Sequence, residues 1–214
     1  MTTPGSAGQA KARLAILLSG RGSNFLALHD AILAGRLPAE IVLVVSNLPE
    51  APGLIKARER GLVALALPHR GLPRAEHDRQ VLAALQEHRV DWICLAGYLR
   101  IVGKELVDAY PQRILNIHPS LLPAFPGLDA QKQAFEHGSR VSGCTVHFVD
   151  TGLDTGPIVA QKAVPIDEAT SAEAVAARIL AVEHETYVEA LGRLLSEPWK
   201  LAGRRLVFGA DGGI

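Results

Sequence analysis

Compact apolar runs alternate with segments that repeat apolar residues every three or four positions through the first half of the chain. The compact runs predict strands buried on both faces, and the three-to-four spacing predicts amphipathic helices. Strands are predicted at 13–18, 41–45, 62–67, 91–96 and 114–118, with helices before Gly35 and at 54–60, 76–88 and 104–110, and a loop at 70–74. This alternation predicts right-handed βαβ units on a parallel sheet.

The pattern changes after residue 118, where three prolines and a glycine predict a loop without regular structure. The elements predicted beyond it are a helix at 130–136 and strands at 142–149 and 158–164. Residues 150–156, here called the Asp154 loop, are too few for a crossover helix. We therefore expect the two strands that flank this loop to be antiparallel.

A long helix follows, and it is predicted to reach about residue 195. Thr170 and Glu173 have the spacing of a capping box, in which the first side chain caps the helix and the second returns the bond. The side chains expected to face the sheet are those of Val175, Ile179, Val182 and Leu191. The last predicted element is one edge strand at 205–208.

These elements predict an α/β fold with a Rossmann-like, mostly parallel twisted sheet, helices on both faces and an antiparallel strand in the C-terminal part. We expect a flexible N-terminal extension at 1–12, a single domain at 13–197 and a C-terminal tail at 198–214. A chain of 214 residues with 48% hydrophobic content can build such a core without disulfides. Cys94 and Cys144, which lie in apolar runs, are predicted to be reduced and buried.

The charge balance narrows the class of protein. The 22 basic and 22 acidic residues form no long run of one sign, which argues against nucleic acid or an anionic membrane as the main partner. No stretch of roughly 18 apolar residues suggests a membrane span, and the start of the chain lacks the apolar core of a signal peptide. The sequence thus predicts a cytoplasmic enzyme or binding protein.

Residues 19–24, here called the glycine loop, join the first predicted strand to the first predicted helix. Glycines at such a turn allow an anion to approach the backbone N–H groups at the helix start. The glycine loop does not match the fingerprint of dinucleotide-binding proteins, because Phe25 stands where the third glycine of that fingerprint belongs and no acid follows the second strand. No Walker lysine is present either. The loop predicts a site for a single phosphate; the alternative is a tight turn whose glycines serve packing alone.

Asn116 and His118 end the fifth predicted strand. Side chains two residues apart share one face of a strand, so Asn116 and His118 project together while Ile117 points into the core. An amide beside an imidazole suits a reaction in which negative charge develops on a carbonyl oxygen and protons move. The alternative is a core strand that ends in polar residues.

The carboxyl ends of parallel strands form the usual ligand-binding edge of such a sheet. The glycine loop, residues 97–102 and residues 116–118 all follow strands and are expected to converge there. Asp154 lies in a turn that can present a carboxylate to His118, although capping of its own turn is the simpler interpretation. His147 alternates with Thr145 and is a candidate for a supporting contact. The remaining histidines, predicted to lie on the surface or in packing without partners, are His29, His69, His77, His88, His137 and His184.

Four segments now combine into one resemblance. They are Ser-Gly-Arg-Gly-Ser-Asn at 19–24, Leu-Ala-Gly-Tyr-Leu-Arg-Ile at 95–101, Asn-Ile-His-Pro-Ser-Leu-Leu-Pro at 116–123 and Leu-Asp-Thr-Gly-Pro at 153–157. In this order the chain resembles the folate-dependent phosphoribosylglycinamide formyltransferases over about residues 14–195. The third segment marks the wider formyltransferase superfamily. The chain departs from the common family pattern at Arg21 and Gln131.

The resemblance implies a role for several groups of residues. The catalytic residues would be Asn116, His118 and Asp154. The residues that bind the ribonucleotide would be Gly22, Ser23, Asn24 and Glu183. The residues that bind the formyl-folate would be Arg74, Leu99, Arg100, Ile101, Val102, Asn116 and Asp150. No metal is implied.

The resemblance also implies an activity: transfer of the formyl group of 10-formyltetrahydrofolate to the amine of glycinamide ribonucleotide, by direct attack through a tetrahedral intermediate. The implied assembly is a monomer or homodimer, with no nucleic acid or membrane partner. The alternatives are a formyltetrahydrofolate hydrolase with the same site, and a non-catalytic protein that binds a phosphate ligand. A methionyl-tRNA formyltransferase would need a tRNA-binding domain and a basic surface.

Overall fold

The structure, a computed structural model, describes residues 11–209. Its strands are β1 (Ala12–Leu18), β2 (Ala39–Ser46), β3 (Ala64–Ala66), β4 (Trp92–Leu95), β5 (Ile114–His118), β6 (Val141–Phe148), β7 (Ile158–Pro165), β8 (Trp199–Ala202) and β9 (Arg205–Phe208). Its helices are α1 (Ser23–Leu33), α2 (Pro52–Glu59), α3 (Arg74–Glu87), α4 (Lys104–Ala109), α5 (Ala130–Glu136) and α6 (Ala172–Ser196).

Seven strands form one sheet in the order β3-β2-β1-β4-β5-β6-β7. Pairs among β1 to β5 are parallel, whereas β6 is antiparallel to β5 and β7 is antiparallel to β6. The predicted fold class is therefore confirmed, including the antiparallel pair that flanks the Asp154 loop. β6 and β7 are antiparallel because the short connection between them leaves no length for a crossover.

Helices cover both faces of the sheet, and β1 shows why its sequence is apolar throughout. Leu14, Ile16 and Leu18 pack with side chains of α1 and α6 on one face. Ala15 and Leu17 pack with side chains of α3 and α4 on the other face. A strand buried on both sides needs a continuous apolar run, because successive side chains enter opposite cores.

The order of the strands creates the edge at which the site lies. From β1 the chain moves outward to β2 and β3, and it then returns to place β4 on the other side of β1. The loops that follow β1 and β4 therefore leave in opposite directions and open a crevice. The backbone N–H of Ser19 donates to the carbonyl of Gly97 at 2.9 Å, which fixes these two loops at the crevice.

Two predictions, on the start of α3 and on the pairing of the last strand, were wrong. Arg74 was placed in a loop, but it is the first residue of α3. The strand at 205–208 exists, yet it pairs with β8, which was not predicted, in a separate hairpin rather than at the edge of the main sheet. Residues 1–10 of the predicted extension and 210–214 of the predicted tail lie outside the described residues.

The N-terminus of α6 is capped by a different residue from the one predicted. The side chain of Ser171, not that of Thr170, accepts a hydrogen bond from the backbone N–H of Ala174 at 3.2 Å. The pKa of Glu173 is lowered by a hydrogen bond from its own backbone N–H and by another from Ser171. Glu173 therefore contacts the capping serine from the second position of the helix, not from the third position that a capping box requires.

Replacing Ser171 and Thr170 one at a time tests which of the two residues caps α6. Ser171→Ala should lower the free energy of unfolding by about 1 kcal/mol, because an N–H of the first turn loses its acceptor. Thr170→Ala, at an exposed position before the helix, should change the free energy of unfolding far less. Urea unfolding of both variants measures the difference, and a larger loss in Thr170→Ala would contradict the observed cap.

Candidate active site

Asn116 and His118 share one face of β5, as their spacing predicts. Asn116 pairs with His147 of β6 and His118 pairs with Thr145, and residues opposite each other in an antiparallel pair lie on one face. Ile117 points to the other face and joins the core there. The four polar side chains therefore form one cluster on the sheet.

Asp154 joins this cluster from the loop between β6 and β7. Its Oδ2 lies 3.4 Å from Nδ1 of His118, and its Oδ1 lies 3.7 Å from Nε2 of His147. Oδ2 also accepts a hydrogen bond from the backbone N–H of Gly127 at 2.8 Å. Asp154 thus bridges two loops and two imidazoles, and the interpretation that it only caps its own turn does not account for these contacts.

The Asp154 loop folds back toward the end of β5. Because β6 is antiparallel, Phe148 lies beside Leu115, and the N–H of Val149 donates to the carbonyl of Ile114 at 2.9 Å. The loop therefore starts beside the beginning of β5, and it must fold back to bring Asp154 to His118.

The imidazole of His118 has a fixed orientation. Its Nε2 lies 2.8 Å from the carbonyl oxygen of Phe125, which can only accept, so Nε2 carries a proton and donates. Nδ1 then faces Asp154. A proton at Nδ1 would be directed at this carboxylate, 3.4 Å away.

His147 orients the amide of Asn116. Its Nδ1 donates to the carbonyl of Phe148 at 2.9 Å, and its Nε2 lies 3.1 Å from Nδ2 of Asn116. Burial lowers the pKa of His147, which keeps its Nε2 unprotonated and able to accept from the amide. The alternation of His147 with Thr145 predicted which face of the strand His147 occupies, and the structure adds its contact with Asn116.

The glycine loop makes a tight turn into the start of α1. Gly22 adopts φ 72°, and a Cβ there would lie 2.9 Å from the Cα of Gly53, so only glycine fits. In the described part of the chain, no side chain caps the first turn of α1, which Ser23 opens. Lys56 donates to the carbonyl of Arg21 at 3.2 Å, which brings two cations to the loop. These features favour an anionic ligand.

Asn24 connects the glycine loop to α6. Its Nδ2 donates to Oε2 of Glu183 at 2.9 Å, and both side chains are buried. Burial raises the pKa of Glu183, while the hydrogen bond from Asn24 and the nearby His118 oppose this shift. The Oδ1 atom of Asn24 is buried without a partner among residues 11–209. The residues expected to bind the ribonucleotide are therefore brought together beside His118.

The residues expected to bind the formyl-folate are less closely connected. Leu99 and Ile101 are exposed, and Arg100 has a buried Nε that finds no partner in the described chain. Arg74 is exposed at the start of α3, and no contact within residues 11–209 joins it to Asn116. Asp150 accepts from Oγ1 of Thr155 at 2.7 Å and so stabilises the Asp154 loop.

The prediction that the other histidines have no partners was wrong for three of them. The structure gives hydrogen bonds to His69 with Asn47, to His77 with the carbonyl of Leu67 and to His88 with the carbonyl of Ala84. Both cysteines are free and buried, as predicted. Within residues 11–209, no helix is long and apolar enough to cross a membrane, and no three or more His, Cys, Asp or Glu side chains are arranged so that they could hold a metal ion.

A Rossmann-like sheet with an oriented amide, imidazole and carboxylate beside an anion loop defines a class, that of α/β enzymes of group transfer. Residues 12–191 match the family model described as formyl transferase, and the chain belongs to this family. The resemblance found in the sequence motifs is thereby confirmed.

Named relatives place the chain within the family. The phosphoribosylglycinamide formyltransferase of Bacillus subtilis (strain 168) is 41% identical over 184 residues, which cover 86% of this chain and 94% of that protein. The structure of glycinamide ribonucleotide transformylase 1 from Symbiobacterium toebii has a TM-score of 0.91 and 44% identity, and covers 95% of this chain and 99% of that one. The trifunctional purine biosynthetic protein adenosine-3 of Drosophila pseudoobscura pseudoobscura is 46% identical over 191 residues, which cover 88% of this chain. This chain spans only 14% of the length of that protein.

The lowered pKa of His147 gives a pH dependence of stability. Between the ordinary pKa of 6.5 and the lower folded value, the unfolded chain binds more protons than the folded one, so stability falls as pH drops below about 6.5. His147→Gln, which cannot titrate, should lose less unfolding free energy between pH 7.5 and 5.5 than the wild type. Urea unfolding at the two pH values measures this loss.

His137→Gln, which removes an exposed imidazole of a similar kind, is the matched control. The assignment would be wrong if His147→Gln kept the whole acid dependence of the wild type.

Proposed function

We propose that this protein transfers the formyl group of 10-formyltetrahydrofolate to the amine of glycinamide ribonucleotide, a step of de novo purine synthesis. The observation that carries this proposal is the contact of Asp154 with His118, on the strand face that Asn116 shares. Membership of the formyl transferase family supports it. So does the likeness to relatives that are named phosphoribosylglycinamide formyltransferases.

The two substrates are proposed to bind on either side of this cluster. The phosphate of the ribonucleotide lies at Gly22, Ser23 and Asn24, where backbone N–H groups and the start of α1 favour negative charge. Glu183, which Asn24 holds, contacts the same substrate. The formyl-folate is proposed to contact Arg74, residues 99–102, Asn116 and Asp150.

Asn116 and His118 stabilise the charge that develops during transfer. The amine attacks the formyl carbon, a C–N bond forms, and the carbonyl oxygen becomes an oxyanion. One N–H of the Asn116 amide is directed at His147, which leaves the second for this oxyanion. The positive charge of protonated His118, held by Asp154, stabilises the same oxyanion.

Collapse of the intermediate breaks the bond from the formyl carbon to the nitrogen of the folate. The proton lost by the attacking amine is taken up by this nitrogen, so no proton is consumed overall. Asp154 and His118 are placed to carry it, directly or through water. Neither a metal nor a covalent enzyme intermediate takes part in the proposed reaction.

A cytoplasmic location and a monomeric or homodimeric state remain predictions from the sequence. Sedimentation velocity of the purified full chain would give the oligomeric state. Fractionation of the native cells would give the location.

Three functions are separated by one assay with purified protein. Formylation of glycinamide ribonucleotide in the presence of 10-formyltetrahydrofolate supports the proposed transfer. Release of formate without the ribonucleotide would favour the hydrolase. Binding of the ribonucleotide without turnover would favour the non-catalytic protein.

Removal of either charge-stabilising side chain should reduce turnover without unfolding the protein. Asn116→Ala and His118→Ala are each expected to lower kcat by about 10²–10³, the usual effect of losing one oxyanion donor. Steady-state kinetics measure kcat, and circular dichroism checks the fold. His88→Ala, at the far end of α3, is the matched control. Near-normal kcat in both site variants would refute the proposed catalytic roles.

A further inference from the structure

Residues 97–103, here called the donor segment, carry four of the residues proposed to bind the formyl-folate. Two of these, Leu99 and Ile101, are 66% and 48% exposed, so they contribute little packing of their own. Val102 alone is buried in the core among the four. The attachment of its two ends therefore contributes to the conformation of the donor segment, beside the packing of Tyr98 and Val102.

The first end is attached to the glycine loop through Ser19. The Oγ of Ser19 accepts from the backbone N–H of Leu99 at 2.9 Å and donates to Oδ1 of Asn47 at 2.5 Å. The backbone of Ser19 also bonds Gly97. These contacts belong to the crevice already described.

The second end is attached to α3 through Asp78. The backbone N–H of Gly103 donates to Oδ2 of Asp78 at 2.9 Å, and Asp78 is 5% exposed. Gly103 precedes the first residue of α4 and has φ −81° and ψ 164°, an extended conformation that any residue adopts. A Cβ at Gly103 would nevertheless overlap Oδ2 of Asp78. Glycine is therefore needed at 103 for the approach of this carboxylate rather than for its backbone angles.

The charge of Asp78 also acts within the donor segment. Tyr98 is partly buried, and its pKa is raised by this burial first and by Asp78 as well, while Arg100 opposes the shift through its charge and a hydrogen bond. Asp78 thus lies near Tyr98 and Arg100, and Arg100 is one of the proposed folate-binding residues. On α3, Asp78 follows Arg74 by four residues, so both lie on the same side of the helix.

We propose that Asp78 is a positioning residue for the formyl-donor site, which holds the end of the donor segment at Gly103 and thereby sets the affinity for the formyl-folate. This inference rests on the proposed function for the identity of the ligand. Asp78 contacts the segment and not the Asn116, His118 and Asp154 cluster. Its loss should therefore weaken binding of the donor more than it slows the chemical step.

Kinetics of two Asp78 variants test this role. Asp78→Ala should raise KM for 10-formyltetrahydrofolate about tenfold, the usual worth of one hydrogen bond to a charged group, with kcat and KM for the ribonucleotide within about twofold. Asp78→Asn keeps an oxygen acceptor for Gly103 and should recover most of the affinity. Asp108→Asn, which removes an exposed carboxylate paired with Lys104 on α4, is the matched control. A loss of kcat with both KM values unchanged would refute the positioning role.

Hydrogen exchange tests the attachment without the reaction. The amides of residues 99–103 should exchange faster in Asp78→Ala than in the wild type or Asp108→Asn, because Gly103 loses its acceptor. Unchanged exchange in a folded Asp78→Ala would overturn the inference. Absence of formyl transfer by the wild type would refute the proposed function, whereas the exchange result would still decide whether Asp78 holds the segment at Gly103.

A second pair of variants covers the case in which Asp78→Ala does not fold. Gly103→Ala should speed exchange of the same amides, because its Cβ displaces the carboxylate. Asp78→Asn should leave their exchange near that of the wild type, since the acceptor remains. Equal exchange in Gly103→Ala and the wild type would contradict the proposed contact.

Discussion

The carboxylate of Asp154 is the contact on which the rest of the site depends. It lies in a loop that starts beside the beginning of β5 and folds back, and it meets His118, His147 and the backbone of Gly127. A nearly buried carboxylate needs partners for its charge, and here Oδ2 accepts from the N–H of Gly127 while the imidazoles of His118 and His147 lie 3.4 Å and 3.7 Å from its oxygens. In return, the carboxylate fixes two loops and an imidazole in one arrangement. Group transfer needs such prior organisation, because donors that must reorient at the moment of reaction lose much of their effect.

The change of strand direction at β6 makes this arrangement possible. An antiparallel β6 places His147 directly opposite Asn116, and burial keeps this histidine neutral so that it orients the amide. The same burial acts differently on Glu183, whose pKa rises because the charged carboxylate is the disfavoured form. The sheet thus supplies both the geometry of the site and the low-polarity surroundings that set the protonation of its members.

Much of the fold could be predicted because its signals are local. The apolar runs of β1, β4 and β5 reflect burial on both faces, and a period of two was enough to put Asn116 and His118 on one side. Gly22 was recognisable as a turn residue before its positive φ was known. The cap of α6 was missed by one residue, because Thr170 and Ser171 are equally suitable in sequence and the incoming chain decides between them.

The sequence by itself determined the class of fold, the turn at the glycine loop and the shared face of the amide and the imidazole. The tertiary structure alone decided the contact of His147 with Asn116 and the approach of Asp78 to Gly103, and it chose between the two interpretations of Asp154 by placing it beside His118. The physical reason is separation along the chain. Periodicity fixes which way a side chain points within its own element, whereas contacts between residues about thirty apart depend on strand direction, register and the path of loops.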